Sequence, residues 1–248
     1  MSGIGPDEMA HTLARASSSI GEVALRRRGA VTELIVNGTF VMDTVDVSTE
    51  VELATGTLSQ HPAPDRVLVG GLGLGFTAAT VLADPRVRQV KVVEIAEPLV
   101  EWAETGLLPT DLADPRVYLR AGDVGEVLRG GDRWDLILLD VDNGPGFLVR
   151  EDNAGLYSEA GVSTAYRALA PGGVLAIWSS HLAPELVETM RVVGAGARGA
   201  GRGNVQEIVR TIVREGRSFE YAIYLLRRPL GEGDQGGVTD LVPSPLAE

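Results

Sequence analysis

The sequence predicts an α/β fold, a sheet covered by helices on both faces behind a small N-terminal β-hairpin domain. Three observations predict it. The run Val67-Leu68-Val69-Gly70-Gly71-Leu72-Gly73-Leu74-Gly75-Phe76-Thr77 joins an apolar strand to a helix through a glycine-rich turn. Apolar runs at 66–70, 90–94, 117–119, 135–140 and 173–178 alternate with helical stretches, the rhythm of strands linked by crossover helices. Leu136-Ile137-Leu138-Leu139 and Val174-Leu175-Ala176-Ile177-Trp178 are apolar without a break, as strands buried on both faces must be.

Taken in order, residues 1–20 are polar with weak helical periodicity and are expected to be partly helical. From 21 to 47 the pattern alternates. Glu22-Val23-Ala24-Leu25-Arg26 and Glu33-Leu34-Ile35-Val36 read as strands, and Asn37-Gly38 is a type I′ hairpin turn before Thr39-Phe40-Val41-Met42. The main domain is expected over 48–228. Ser48 and Thr49 open its first helix, Thr49 and Glu52 having the spacing of a capping box, and His61-Pro62-Ala63-Pro64 closes it. Asp84-Pro85-Arg86-Val87 recurs as Asp114-Pro115-Arg116-Val117, a reused turn ahead of a strand, and Ala170-Pro171-Gly172-Gly173 is another helix-to-strand turn. A helix near 183–193 leads to small residues, 194–203, expected as a flexible loop. Alternating runs at 205–213 and 219–227 should pair antiparallel, and the Gly-, Pro- and acid-rich segment 229–248 is expected to be disordered.

Composition narrows the function. With 22 basic and 34 acidic residues the formal charge is −12, which repels phosphate backbones and argues against a nucleic-acid substrate. Arg26-Arg27-Arg28 beside a turn reads as a solvated hairpin edge. No run of about 18 apolar residues is present, so no membrane partner is expected. The first residues lack a basic and apolar leader, so a cytoplasmic protein is expected. There is no cysteine, and His11, His61 and His181 are scattered, so no metal site is expected.

The chemistry starts at the glycine turn. Glycines let the backbone approach a ligand, and Glu94, about 20 residues on, stands where an acid grips ribose hydroxyls. Gly71, Gly73 and Gly75 give G-x-G-x-G, with Phe76 where a dinucleotide fingerprint has Gly or Ala. The spacing favours an S-adenosyl compound over a nicotinamide dinucleotide.

Several motifs then line up: Asn37-Gly38-Thr39-Phe40, Gly70-Gly71-Leu72-Gly73-Leu74-Gly75, Val93-Glu94-Ile95, Gly122-Asp123, Asp135-Leu136-Ile137-Leu138-Leu139-Asp140 and Leu169-Ala170-Pro171-Gly172-Gly173. In this order, over roughly residues 20–228, they resemble the spermidine synthase (polyamine aminopropyltransferase) family. Its catalytic domain is the class I S-adenosylmethionine methyltransferase fold, a Rossmann-like seven-stranded sheet. The resemblance implies that Gly70, Gly71, Gly73 and Gly75 make room for the cofactor. It also implies that Glu94 holds the ribose, that Asp123, beside Val124, holds the adenine amino group, and that Asp140 deprotonates the attacking amine. A carboxylate ending a buried strand sits in the ligand crevice, where burial raises its pKa toward that of a useful base. Homodimerisation is a further implication.

The departures are equally specific. The family's Gly-Gly-Gly-Asp-Gly-Gly uses its acid to bind the primary amine of decarboxylated S-adenosylmethionine, and Gly73 holds that place here. Its Asp-Ser-Ser-Asp-Pro becomes Asp140-Val141-Asp142-Asn143-Gly144-Pro145, and its Tyr-Gln-Glu becomes Ser48-Thr49-Glu50. An ammonium buried without its carboxylates loses several kcal/mol.

The expected activity is therefore S-adenosylmethionine-dependent methyl transfer to a small-molecule acceptor on a spermidine-synthase-like scaffold. The alternatives are aminopropyl transfer from decarboxylated S-adenosylmethionine to a diamine, and a non-catalytic dimeric binding module. Candidate acceptor contacts are Glu50, Asp142, Asn143, Tyr157, Trp178 and His181. Each has a plainer reading: Glu50 as a solvated acid, Asp142 and Asn143 as turn residues, Tyr157 and Trp178 as core, His181 as a loop histidine. Asp123 equally reads as a helix N-cap.

Overall fold

The computed structural model describes residues 9–141, 144–145, 153–196, 204–214 and 216–230. A four-stranded antiparallel sheet comes first: β1 (His11–Ser18), β2 (Gly21–Arg28), β3 (Val31–Val36) and β4 (Thr39–Asp43), in that spatial order. The expected helical character of residues 1–20 is overturned for the part described, since 11–18 form β1. Ala14 and Ala16 stand opposite Leu25 and Val23 across the β1–β2 ladder, and this pairing outweighs a weak local helical tendency. Residues 1–8 lie outside the described residues.

Asn37 (φ 51°) and Gly38 (φ 76°) make the expected left-handed hairpin turn. The Asn37 side chain also accepts from the Glu22 N–H at 2.9 Å and donates to the Ile20 carbonyl at 2.8 Å, tying the two hairpin ends together. The arginine run is not a bare solvated edge. Arg26 and Arg28 both pair with the buried Glu33, at 2.7 and 2.9 Å.

The main domain follows as α1 (Ser48–Leu58), β5 (Arg66–Gly70), α2 (Phe76–Leu82), β6 (Gln89–Glu94), α3 (Glu97–Glu104), β7 (Val117–Ala121), α4 (Val124–Arg129) and β8 (Trp134–Leu139). It continues with α5 (Ala154–Tyr157), α6 (Glu159–Ala168), β9 (Leu169–Ser179), α7 (Pro184–Gly196), β10 (Val205–Arg214) and β11 (Arg217–Arg227). Its seven strands lie in the order β10-β11-β9-β8-β5-β6-β7. Strands β5 to β9 are parallel, β11 runs antiparallel to β9, and β10 to β11. The order reverses at β5, the first strand of this sheet along the chain, and the carboxyl ends of β5 and β8 flank the crevice where such sheets bind ligands.

Alternate residues of the central strands feed two cores. Val67, Val69, Leu136 and Leu138 face the side carrying α1, α2 and α3, whereas Leu68, Ile137 and Leu139 face α4 and α6.

Three local expectations change. The capping box at α1 does not form: Ser48 donates to Asp46, Thr49 to Glu50, and Glu52 pairs with Arg210 of β10. The turn expected at 170–173 is the irregular start of β9, where Gly172 takes φ 81° and the register to β8 shifts. Helix α7 runs on to Gly196, so 194–196 are helical where a loop was expected; 197–203 and 231–248 lie outside the described residues.

The two Asp-Pro-Arg turns share a further geometry. Arg86 donates to the carbonyls of Leu58, His61 and Pro62 at the end of α1, and Arg116 to those of Leu82 and Val87 at the end of α2. In each turn the aspartate, Asp84 or Asp114, holds the guanidinium in place. Each arginine thus bonds the last carbonyl of a helix, Leu58 of α1 or Leu82 of α2, that lies one helix earlier than the one its own turn follows. Among the described residues no helix is long and apolar enough to cross a membrane.

Candidate active site

At the carboxyl ends of β5, β6 and β8 a cavity opens, lined in part by Gly71, Gly73, Glu94, Gly122, Asp123, Val124, Asp140, Glu50 and Trp178. The glycine turn forms its floor. Gly71 has φ 93°, and a side chain there would run into the carbonyl of Asp140, so β5 and β8 can close together only over glycine. Gly75, at φ 89°, caps α2 against Thr110 and lies behind the cavity, as does Gly70, which packs against Val124 and Leu139.

Glu94 ends β6 and is buried at 8 % exposure. Burial pushes its carboxyl up, and the N–H groups of Ala96, Leu72, Gly73 and Ile95 hold it down. The Leu72 and Ala96 N–H groups donate to separate oxygens at 2.7 and 2.9 Å. Asp123 is the N-cap of α4, accepting from the Gly125 N–H at 2.7 Å, and it also lines the cavity.

Asp140 immediately follows β8. Its carboxyl is pushed up to about 7 by burial, then by the negative charges of Glu50 and Glu94, against the Thr77 hydroxyl that holds it down. A carboxylate titrating near neutrality, at the mouth of a ligand crevice, is suited to take a proton.

The structure therefore gathers Gly71, Gly73, Glu94, Asp123, Val124, Asp140, Glu50 and Trp178 around one space. Tyr157 and His181 do not line it. The Tyr157 ring is buried, its hydroxyl donating to the Val141 carbonyl at 2.7 Å, and His181 lies beside Ser180. Asp142 and Asn143 lie outside the described residues.

Sequence reasoning missed Thr77 and Met42. Thr77, in the first turn of α2, has the one signal that could have found it, a hydroxyl on an apolar helix face just after the glycines. Met42 reaches the cavity from β4, and the small sheet is pinned there by Ser19, whose hydroxyl donates to the Ile95 carbonyl at 3.2 Å.

A spermidine synthase in complex with the transition-state analogue AdoDATO superposes with a TM-score of 0.71 at 17 % identity, covering 89 % of this chain and 74 % of that one. The Thermotoga maritima spermidine synthase gives 0.69 at 16 % identity, with the same coverage. The fold is that of the spermidine synthases.

The family resemblance drawn from the motifs stands, within the class I methyltransferase fold. Two kinds of curated relative share sequence with this spermidine-synthase fold. Polyamine aminopropyltransferase 2 of Caldanaerobacter subterraneus subsp. tengcongensis is 36 % identical over 83 residues, 33 % of this chain and 28 % of that protein. Putrescine N-methyltransferase 3 of Nicotiana tabacum is 28 % identical over 152 residues, 56 % of this chain and 38 % of that protein. The chain thus spans well under half the length of these relatives. No family model matches it.

Proposed function

We propose that this protein transfers the aminopropyl group of decarboxylated S-adenosylmethionine to the nitrogen of a small amine. The observation that carries the reading is the charge of the cavity. Its ionisable lining among the described residues is Glu50, Glu94, Asp123 and Asp140, all carboxylates. That lining complements a sulfonium donor with a cationic tail and an amine acceptor. The aminopropyltransferase and spermidine synthase likenesses support the same choice over the methyl transfer expected from sequence.

The donor supplies an activated carbon, since a sulfonium is already a good leaving group. The chain's part is to hold the nucleoside through Glu94 and the glycine turn, to align the acceptor, and to take its proton on Asp140. The amine lone pair forms the new C–N bond, the C–S electrons return to sulfur, and the ammonium proton passes to the carboxylate.

Methyl transfer from S-adenosylmethionine is a second reading, favoured by Gly73 in place of an amine-binding acid and by the putrescine N-methyltransferase match. One experiment separates the two: the protein with putrescine and either donor, products read by mass spectrometry. Methylthioadenosine from the decarboxylated donor is expected. S-adenosylhomocysteine as the main nucleoside product would establish the second reading instead, and no turnover with either donor would sink both.

A further inference from the structure

A glycine-rich turn binds anions when its N–H groups point at the ligand. Here each N–H from Gly71 to Gly75 already has a partner. Gly71 donates to the Val93 carbonyl at 2.9 Å and Gly75 to the Leu72 carbonyl at 2.8 Å. Leu72 donates to Glu94 at 2.7 Å, and the Gly73 N–H also holds that carboxylate. The Leu74 N–H is taken by the thioether sulfur of Met42, at 3.4 Å. Sulfur is a weak acceptor, so this is the loosest of the five contacts and the only one made by another sheet. The same sulfur stands 2.8 Å from where a side chain on Gly73 would begin, and both residues line the cavity.

We propose that Met42 is a specificity-determining residue for the donor. By covering the Leu74 N–H and filling the space beside Gly73, it denies a tail carboxylate a backbone hydrogen bond. The site then selects a sulfonium whose tail ends in an amine over one whose tail ends in an amino acid. A cationic tail loses nothing by this, because it seeks no N–H and finds a polarisable sulfur and nearby carboxylates instead. The inference rests on the nucleoside-donor reading given above.

The test is calorimetric titration of wild type, Met42→Leu and Met42→Ala with methylthioadenosine, S-adenosylmethionine and its decarboxylated form. Leucine keeps the volume and removes the acceptor; alanine also opens the space. Wild type should prefer the decarboxylated donor. In both variants S-adenosylmethionine should gain, narrowing the preference about tenfold, the scale of one hydrogen bond to a charged group. Methylthioadenosine, which has no tail to discriminate, should stay within about threefold in every protein. An unchanged ratio with methylthioadenosine still bound overturns the role of Met42 alone. A wild-type chain that binds no methylthioadenosine overturns the donor reading and this inference with it.

Discussion

The Thr77 hydroxyl donates a 2.6 Å hydrogen bond to Oδ2 of Asp140, linking the first turn of α2 to the end of β8. A hydrogen bond given to a carboxylate favours its charged form. Thr77 therefore opposes the burial that raises Asp140. If Asp140 is the base, the rate should climb with pH through about 7 as it ionises. Thr77→Val should move that ascending limb to higher pH by about one unit, whereas Thr77→Ser should restore it. A pH–rate profile unmoved by the valine would show that the contact is only structural.

Asp140→Asn should lower kcat by about 10²- to 10⁴-fold, the usual worth of a positioned base. The same change should stabilise the fold at alkaline pH. Asp140 titrates near 7 when folded, against 3.8 ordinarily. Its contribution to stability is thus fully present below about pH 4 and lost as pH rises through 7. Asparagine has no charge to bury, so its melting temperature should exceed wild type at pH 8 and converge with it at pH 4. A lower melting temperature at pH 8 would contradict the burial of this charge.

Glu94→Gln tests the floor of the cavity. Leu72 and Ala96 donate to the two oxygens of Glu94, and an amide offers only one acceptor. One buried N–H then faces another donor, at a cost of about 1–3 kcal/mol. Urea unfolding should show that loss, and methylthioadenosine should bind at least about tenfold more weakly. Unchanged binding would remove Glu94 from the nucleoside site.

Arg116→Met addresses the repeated turn. It removes the donors that satisfy Leu82 and Val87 while leaving the cavity lining intact. The urea midpoint should fall and kcat should hold. Loss of kcat at full folding would mean that this turn also positions the site.

Much of the site was legible because its signals are local. A strand, a glycine turn and an acid at the next strand end are contiguous in sequence, which places Gly71, Gly73 and Glu94 in one crevice, whereas Asp140 comes to it through the resemblance to the spermidine synthase family. The seven-stranded sheet followed from apolar runs that carry their own periodicity. What escaped depends on pairing at a distance. Strand β1 is held by its ladder to β2 against a helical-looking composition. Met42 meets Leu74 across two sheets, with no pattern near either residue to announce it. Tyr157 failed for a complementary reason: an aromatic near a sheet end reads the same whether its hydroxyl faces a substrate or, as here, the backbone at Val141.

The glycine turn has one consequence for timing. With every backbone donor from Gly71 to Gly75 satisfied in the protein alone, this turn need not wait for a ligand before it takes shape. At this turn the nucleoside should then meet a surface already set, and its contacts there should carry little ordering entropy.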